Sequence, residues 1–213
     1  LFFPVLGLGF QQVGELVLTP SLAAGLLFLT LLPSTVQSSI AFTSIARGNV
    51  PAAVCSASAS NLIGIALTPL LVALLMGGTG GGVSGGEVRA IALQLLLPFV
   101  LGHLSRPLTA GVVERHKSVL SLVDRGSILL VVYTAFSAAV VEGLWSRVPA
   151  WQLLVVTGGC IVLLAIVLVG TQRVARALGF DRADEIAILF CGSKKSLASG
   201  VPMAGVLFPA AQV

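Results

Sequence analysis

An all-α integral membrane fold is what this sequence predicts, on three grounds: its hydropathy, its long uncharged runs and the placement of its few basic residues. The chain has 213 residues with only 12 Lys plus Arg and 8 Asp plus Glu, and its mean hydropathy is +1.06. So few charges cannot cover a water-soluble surface, and a lipid solvent is implied. Pro51 to Met76, Ala90 to Gly102 and Trp151 to Gly170 contain no Asp, Glu, Lys or Arg, and roughly 20 apolar residues in a helix cross the hydrocarbon core. Backbone groups in lipid must be satisfied internally, which leaves helices or a closed barrel. A barrel needs alternating segments of about ten residues, so continuous runs favour helices.

Taken in order, spans are expected at residues 1–18, 21–46, 51–76, 88–105, 127–142, 151–173 and 186–209. They are joined by a Glu15 turn, the Arg47-Gly48-Asn49 turn, a glycine tract from Gly77 to Gly86 and three longer polar segments. The tract reads as a flexible link; it follows no strand and contains no Lys, so it is not a nucleotide loop. Strict alternation places Arg47, Arg106, Arg115, Lys117, Arg125, Arg173, Arg176 and Arg182 on one side and only Arg89 and Arg147 on the other. Basic residues accumulate on the cytoplasmic side, so the 106–125 and 171–185 loops are expected inside the cell. The net charge of +4 is thereby explained by topology and calls for the lipid bilayer, not nucleic acid, as partner. No cleavable signal peptide precedes the first run, and the chain reads as part of a longer protein. Cys55, Cys160 and Cys191 lie in apolar segments without paired spacing and read as packing residues.

Two spans depart from a plain lipid-facing helix. The first, Leu31 to Ser44, carries Pro33 followed by Ser34, Thr35, Gln37, Ser38 and Ser39. The second, Leu189 to Pro202, carries Cys191, Gly192, Ser193, Lys194, Lys195 and Ser196. Proline removes a backbone donor and glycine loosens the chain, so each segment reads as a broken helix. Broken backbone at membrane depth persists only inside protein or along an aqueous cavity, and a pair of interrupted helices marks the substrate and ion site of transporters built from repeated halves. The plainer reading of the hydroxyls is that they return hydrogen bonds to the preceding turn and allow close packing.

Lys194 and Lys195 lie well inside the last span, where an ammonium costs about 3 kcal/mol on insertion scales. Helix C-termini exposed by a break offer partial negative charge that offsets this cost; the competing reading is snorkelling to the interface. As neighbours on a helix the two lysines point about 100° apart, so that one faces the cavity and the other is structural. His103 reads as interfacial and His116 as a solvated loop residue, while Asp181, Asp184 and Glu185 read as N-terminal caps. Trp145 and Trp151 read as interface anchors and Pro69 and Pro98 as kinks. A catalytic reading would need a base beside Cys191, and no His or carboxylate is near it in sequence, so the chain is not expected to be an enzyme.

The run Leu-Pro-Ser-Thr-Val-Gln-Ser-Ser at 32–39, Ala-Arg-Gly-Asn at 46–49, Ser-Ala-Ser-Ala-Ser-Asn at 56–61 and the segment from Phe190 to Ala204 resemble the bile acid:sodium symporter family. The likeness is to its prokaryotic symporter-like branch, which includes the seventh member of the vertebrate bile-acid carrier group. The resemblance implies ten transmembrane helices in two inverted five-helix repeats, divided into core and panel domains, with two discontinuous helices crossing in the core. On that template residues 1–213 form one membrane domain truncated at both ends, beginning in the third helix and stopping near the end of the ninth. Core-type elements occupy 1–76 and 151–213, and panel-type elements 88–142. A multi-pass protein of the bacterial inner membrane is implied, acting as a secondary active transporter of a small organic anion, bile-acid-like or another carboxylate or sulfate.

In sodium-coupled members a carboxylate at the second break serves both ion sites; here Cys191 falls at that position. Ser38 and Ser39, with Ser56 and Ser58 from the next helix, would form at most a degenerate sodium site. No confident metal site or cofactor is expected, and sodium or a proton is the candidate coupling ion. The expectation is that Lys194 or Lys195 replaces the sodium-site chemistry, giving proton-coupled or sodium-independent transport. The alternative is a non-transporting membrane regulator or scaffold that keeps the fold. Cargo identity and oligomeric state are not specified by the residues.

Overall fold

A computed structural model describes residues 2–76, 85–141, 143 and 148–207. Every regular element among them is a helix: α1 Phe2–Gly14, α2 Pro20–Leu31, α3 Val36–Ile45, α4 Val50–Met76, α5 Gly85–Arg115, α6 Lys117–Val141, α7 Ala150–Ala177, α8 Arg182–Ser193 and α9 Leu197–Leu207. Val50–Met76, Lys117–Val141 and Ala150–Ala177 are each long and apolar enough to cross a bilayer. The pair α2 and α3, bent by 63° at residues 32–35, makes a fourth such unit. At 13 residues, α1 is shorter than a full span. Large apolar side chains such as Leu74, Leu154 and Ile161 face outward, as lipid-facing surfaces require. This is a multi-pass membrane protein.

Both expected breaks are present. Leu32 to Thr35 interrupts α2 and α3, and Lys194 to Ser196 interrupts α8 and α9. The polar segment 106–125 is helical, however, where a loop was expected, and α5 and α6 meet at His116 with a single residue between them. Charges alone do not unwind a helix: Leu108, Val112, Val119 and Leu122 keep apolar residues at helical intervals through the segment. His116 stays exposed and continues the ladder through its backbone N–H to Val112 O at 3.1 Å. The 171–185 segment is likewise shorter than expected, since α7 runs to Ala177 and α8 starts at Arg182. Gly77–Ser84 of the glycine tract, Trp145 and Arg147, and the side chain of His103 lie outside the described residues. Cys55 is exposed, against the expectation of a packing residue, whereas Cys160 and Cys191 are half-buried.

The main apolar cluster joins α2, α4 and α9 through Leu27, Phe28, Leu31, Leu32, Val72, Met76 and Met203. It lies at the C-terminal end of α2, against the first break. Pro33 fits a notch in α4 at Gly64, where an added Cβ would lie 2.6 Å from Pro33 Cβ. α4 keeps Pro69 inside the helix, fully buried, and Thr68 turns its hydroxyl to Leu31 O at 2.9 Å. Helix α3 packs on α4 and α8, and α8 packs on α7. α6 buries none of its residues.

At the end of the bundle remote from the breaks, the α3–α4 turn docks on the start of α8. Arg47 has φ 59°, Asn49 N donates to Ala183 O at 2.9 Å, and Asn49 Nδ2 donates to Asp184 Oδ1 at 2.7 Å. Asp181 caps α8 by accepting from Asp184 N. Glu185 is not a cap: its Oε1 accepts from Gln172 at 2.9 Å, Arg176 at 3.1 Å and Arg182 at 2.9 Å. The Gln172 hydrogen bond and then the two arginines hold this carboxyl below the ordinary glutamate value, against the opposing effect of burial. A depressed carboxyl contributes stability that is present above its unfolded-state value, about 4.3, and is lost as pH falls through the lower folded value. Glu185→Gln should therefore lower the melting temperature at pH 7 and flatten its decline below about pH 4. Identical melting profiles for the two proteins from pH 7 to 3 would remove the network from the stability argument.

Candidate functional site

The two breaks cross and cap one another. At the first, the C-terminal end of α2 leaves carbonyls without helical donors. Lys195 reaches them from the second break, its Nζ donating to Thr30 O at 2.9 Å and Leu32 O at 2.7 Å. Ser196 N adds a bond to Pro33 O at 2.9 Å. In the other direction, the start of α3 caps the end of α8. Ser34 Oγ donates to Cys191 O at 2.8 Å, Ser39 Oγ to Phe190 O at 3.1 Å, and Thr35 Oγ1 to Lys195 O at 2.6 Å. Each interrupted helix thus satisfies the orphan carbonyls of the other.

Helix α4 supplies the third wall. Asn61 Nδ2 donates to Ser34 O at 2.6 Å, and Ser60 Oγ accepts from Ser34 N at 3.1 Å. Ser199 of α9 donates to Asn61 Oδ1 at 3.4 Å and pairs with Ser196 Oγ at 3.1 Å. Beside the crossing is a cavity of about 360 Å³, lined among others by Thr30, Ser34, Ser60, Thr68, Lys194 and Lys195, within the range of small-molecule sites.

Of the residues expected at the site, Ser34, Thr35, Ser39, Cys191, Lys195 and Ser196 make contacts across the crossing. Ser193 is buried there with its hydroxyl unpaired among the described residues. Ser38 is half-buried, and Gln37 turns away to Asp124 of α6. Ser56 is exposed and Ser58 half-buried; the side chains that α4 sends to the crossing are Ser60, Asn61 and Thr68. Ser60 and Asn61 fall in the 56–61 motif, of which Ser56 and Ser58 were expected at the site instead, and Thr68 stands alone, as small polar residues ordinarily do in apolar helices. Asn61 was the one with a signal, as an amide within a span. No cluster of three or more His, Cys, Asp or Glu occurs among the described residues.

The two lysines take different partners, although both side chains line the same cavity. Lys194 lies in extended backbone, φ −99° and ψ 138°. Lys195 sits on the α2 carbonyls and over the Phe3 ring at 4.1 Å. Lys194 sits 4.7 Å over the ring of Phe42 on α3, which stacks with Phe190 at 5.5 Å between centroids.

Interrupted helices that cross within an apolar bundle are a device of membrane transporters. The chain belongs to the SBF-like CPA transporter family, whose profile matches residues 1–213. It is 59% identical over 212 residues to Uncharacterized protein PA2026 of Pseudomonas aeruginosa, covering 99% of this chain and 64% of that protein. It is 58% identical over 207 residues to the Escherichia coli protein named "Putative symporter YfeH", covering 97% and 62%. Sodium/bile acid cotransporter 7 of Xenopus tropicalis is 28% identical over 211 residues, covering 97% and 61%. The chain therefore spans less than two thirds of the length of these relatives. The resemblance drawn from the motifs at 32–39 and 190–204 holds across the chain.

Lys195→Met keeps the apolar stem but leaves Thr30 O and Leu32 O without their donor, a cost of about 1–3 kcal/mol for each buried acceptor left unpaired. Gly64→Ala drives a methyl into Pro33 and should cost about 1–3 kcal/mol by overpacking. Both variants are expected to melt below the parent in detergent. A parent-like melting curve for Lys195→Met would mean that the ammonium does not hold the crossing.

Proposed function

We propose that this chain carries the solute site of a secondary active transporter, which moves a small organic anion by alternating access with Lys195 standing where sodium-coupled relatives use a cation. The observation that carries the reading is the ammonium of Lys195 on Thr30 O and Leu32 O. A helix C-terminus holds roughly half a unit of negative charge, which a sodium ion or an ammonium neutralises equally well. With the ammonium covalently attached, those carbonyls need no mobile ion. Transport is then sodium-independent, driven by a proton or by exchange.

Reciprocal capping of α2 by the second break and of α8 by the first supports an origin in inverted repeats, with the core formed by 1–76 and 151–213. The panel is formed by 88–142, in keeping with the lack of burial in α6. Its placement in the bacterial inner membrane, with the Arg47 turn and the basic residues of 106–125 and 171–185 on the cytoplasmic side, follows the basic-residue asymmetry. The anion class rests on two lysines beside one cavity and on the names of the vertebrate relatives. Organic-anion uptake into proteoliposomes containing the full-length protein should persist when sodium is replaced by potassium. A strict sodium requirement would overturn the lysine substitution. No uptake of any organic anion under either cation, or under a proton gradient, would favour a scaffold that keeps the fold.

A further inference from the structure

We infer that the bundle end remote from the breaks carries a binding surface for anionic phospholipid headgroups, formed where the α3–α4 turn meets the α7–α8 turn. The length of α7 sets the depth of that end. Its uncharged run from Trp151 to Gln172 is about 33 Å long at roughly 1.5 Å per residue, which fills a hydrocarbon core of about 30 Å. Arg173 then stands at headgroup depth, and Arg176 lies about one turn beyond it. Gly179, at φ 77°, reverses the chain, and Phe180 N closes the end of α7 on Ala175 O at 3.2 Å. Leu178 and Phe180 are left 69% and 47% exposed on that turn. Arg182 follows at the start of α8. Asn49 N on Ala183 O brings the α3–α4 turn alongside, with Arg47 and Ile45 both exposed.

Charge and apolar exposure together decide the partner. The junction carries Arg47, Arg173, Arg176 and Arg182 against Asp181, Asp184 and Glu185. All three carboxylates are already engaged: Asp181 accepts from Asp184 N, Asp184 from Asn49 Nδ2, and Glu185 from Gln172, Arg176 and Arg182. Arg47 and Arg173 make no hydrogen bond or ion pair with any described residue. A guanidinium carries five donors, so Arg176 and Arg182, each with one N–H on Glu185, keep most of theirs free. Arg47 is held in the left-handed region, which glycine occupies without strain and arginine does not, so its side chain is not there to serve the turn. A phospholipid supplies both halves of what the junction lacks: a phosphate for the guanidiniums, and glycerol and acyl carbons for Leu178 and Phe180. A free phosphate ion supplies only the first. Helix α3 ends at this junction and α8 starts there, so lipid bound across the two turns braces the far ends of both half-helices that meet at the crossing.

The test uses the full-length protein in detergent, titrated with short-chain phosphatidylglycerol, short-chain phosphatidylcholine or inorganic phosphate, and reads the melting temperature. A ligand that binds the folded state raises that temperature with its concentration. Phosphatidylglycerol should raise it at concentrations where the other two leave it unchanged, and the rise should shrink with added salt. Without lipid, Arg47→Gly should melt no lower than the parent, because glycine suits the left-handed turn, and Arg173→Gln should melt with the parent. Each should weaken phosphatidylglycerol about five-fold and the double variant about 25-fold, whereas Arg47→Lys, which keeps the charge, should bind within about two-fold of the parent. An equal rise with phosphatidylcholine, or parental phosphatidylglycerol affinity in the double variant, overturns the inference. The same rise with inorganic phosphate at equal concentration overturns it as a lipid surface. None of these outcomes touches the transport reading, since none of the junction's residues lines the cavity at the crossing.

Discussion

A helix broken at membrane depth must have its freed carbonyls paired by protein or along a water-filled cavity, because lipid offers them no partner. Everything distinctive about this chain follows from meeting that demand twice in one place. The end of α2 is closed by Lys195 Nζ, Ser196 N and Thr68 Oγ1; the end of α8 is closed by Ser34, Thr35 and Ser39. Each break draws donors from the other and from α4. A site built this way holds polar groups in fixed positions beside a cavity, which is what selective recognition of a solute needs.

Much of this was legible in the residues. Pro33 followed by five polar side chains, and a Lys-Lys pair inside an apolar span, are costly unless they meet something, and the cost itself located both breaks. The partners of the lysines were not legible, since the backbone at Lys194 is extended and not helical; the offset of about 100° between helix neighbours therefore does not apply, and both side chains line the cavity. The polar stretch around His116 misled for the reverse reason. Charge was taken as a loop signal, yet its apolar residues keep the helical repeat. Asp184 and Glu185 do lie in the first turn of α8, where the dipole reading had them, but their partners Asn49, Gln172 and Arg176 come in only through the packing of the α3–α4 turn and α7 against α8.

Why the crossing uses an ammonium, and not one more neutral donor, follows from magnitudes. Placing a lysine at mid-membrane costs about 3 kcal/mol on insertion scales. Each charge-assisted hydrogen bond contributes about 1.5–3 kcal/mol, and Lys195 makes two, with the α2 dipole adding up to about 2 kcal/mol in a partly buried geometry. The gain covers the cost. A serine at the same position could reach only one carbonyl and would leave the dipole of α2 unanswered. The lysine stem also spans the distance from the second break to the first, so one side chain ties the two helices together and neutralises one of their ends. Lys194, one residue earlier, has the same cost and no such offset among the described residues beyond the Phe42 ring. That imbalance between neighbours of identical chemistry is the strongest physical reason to assign them different work.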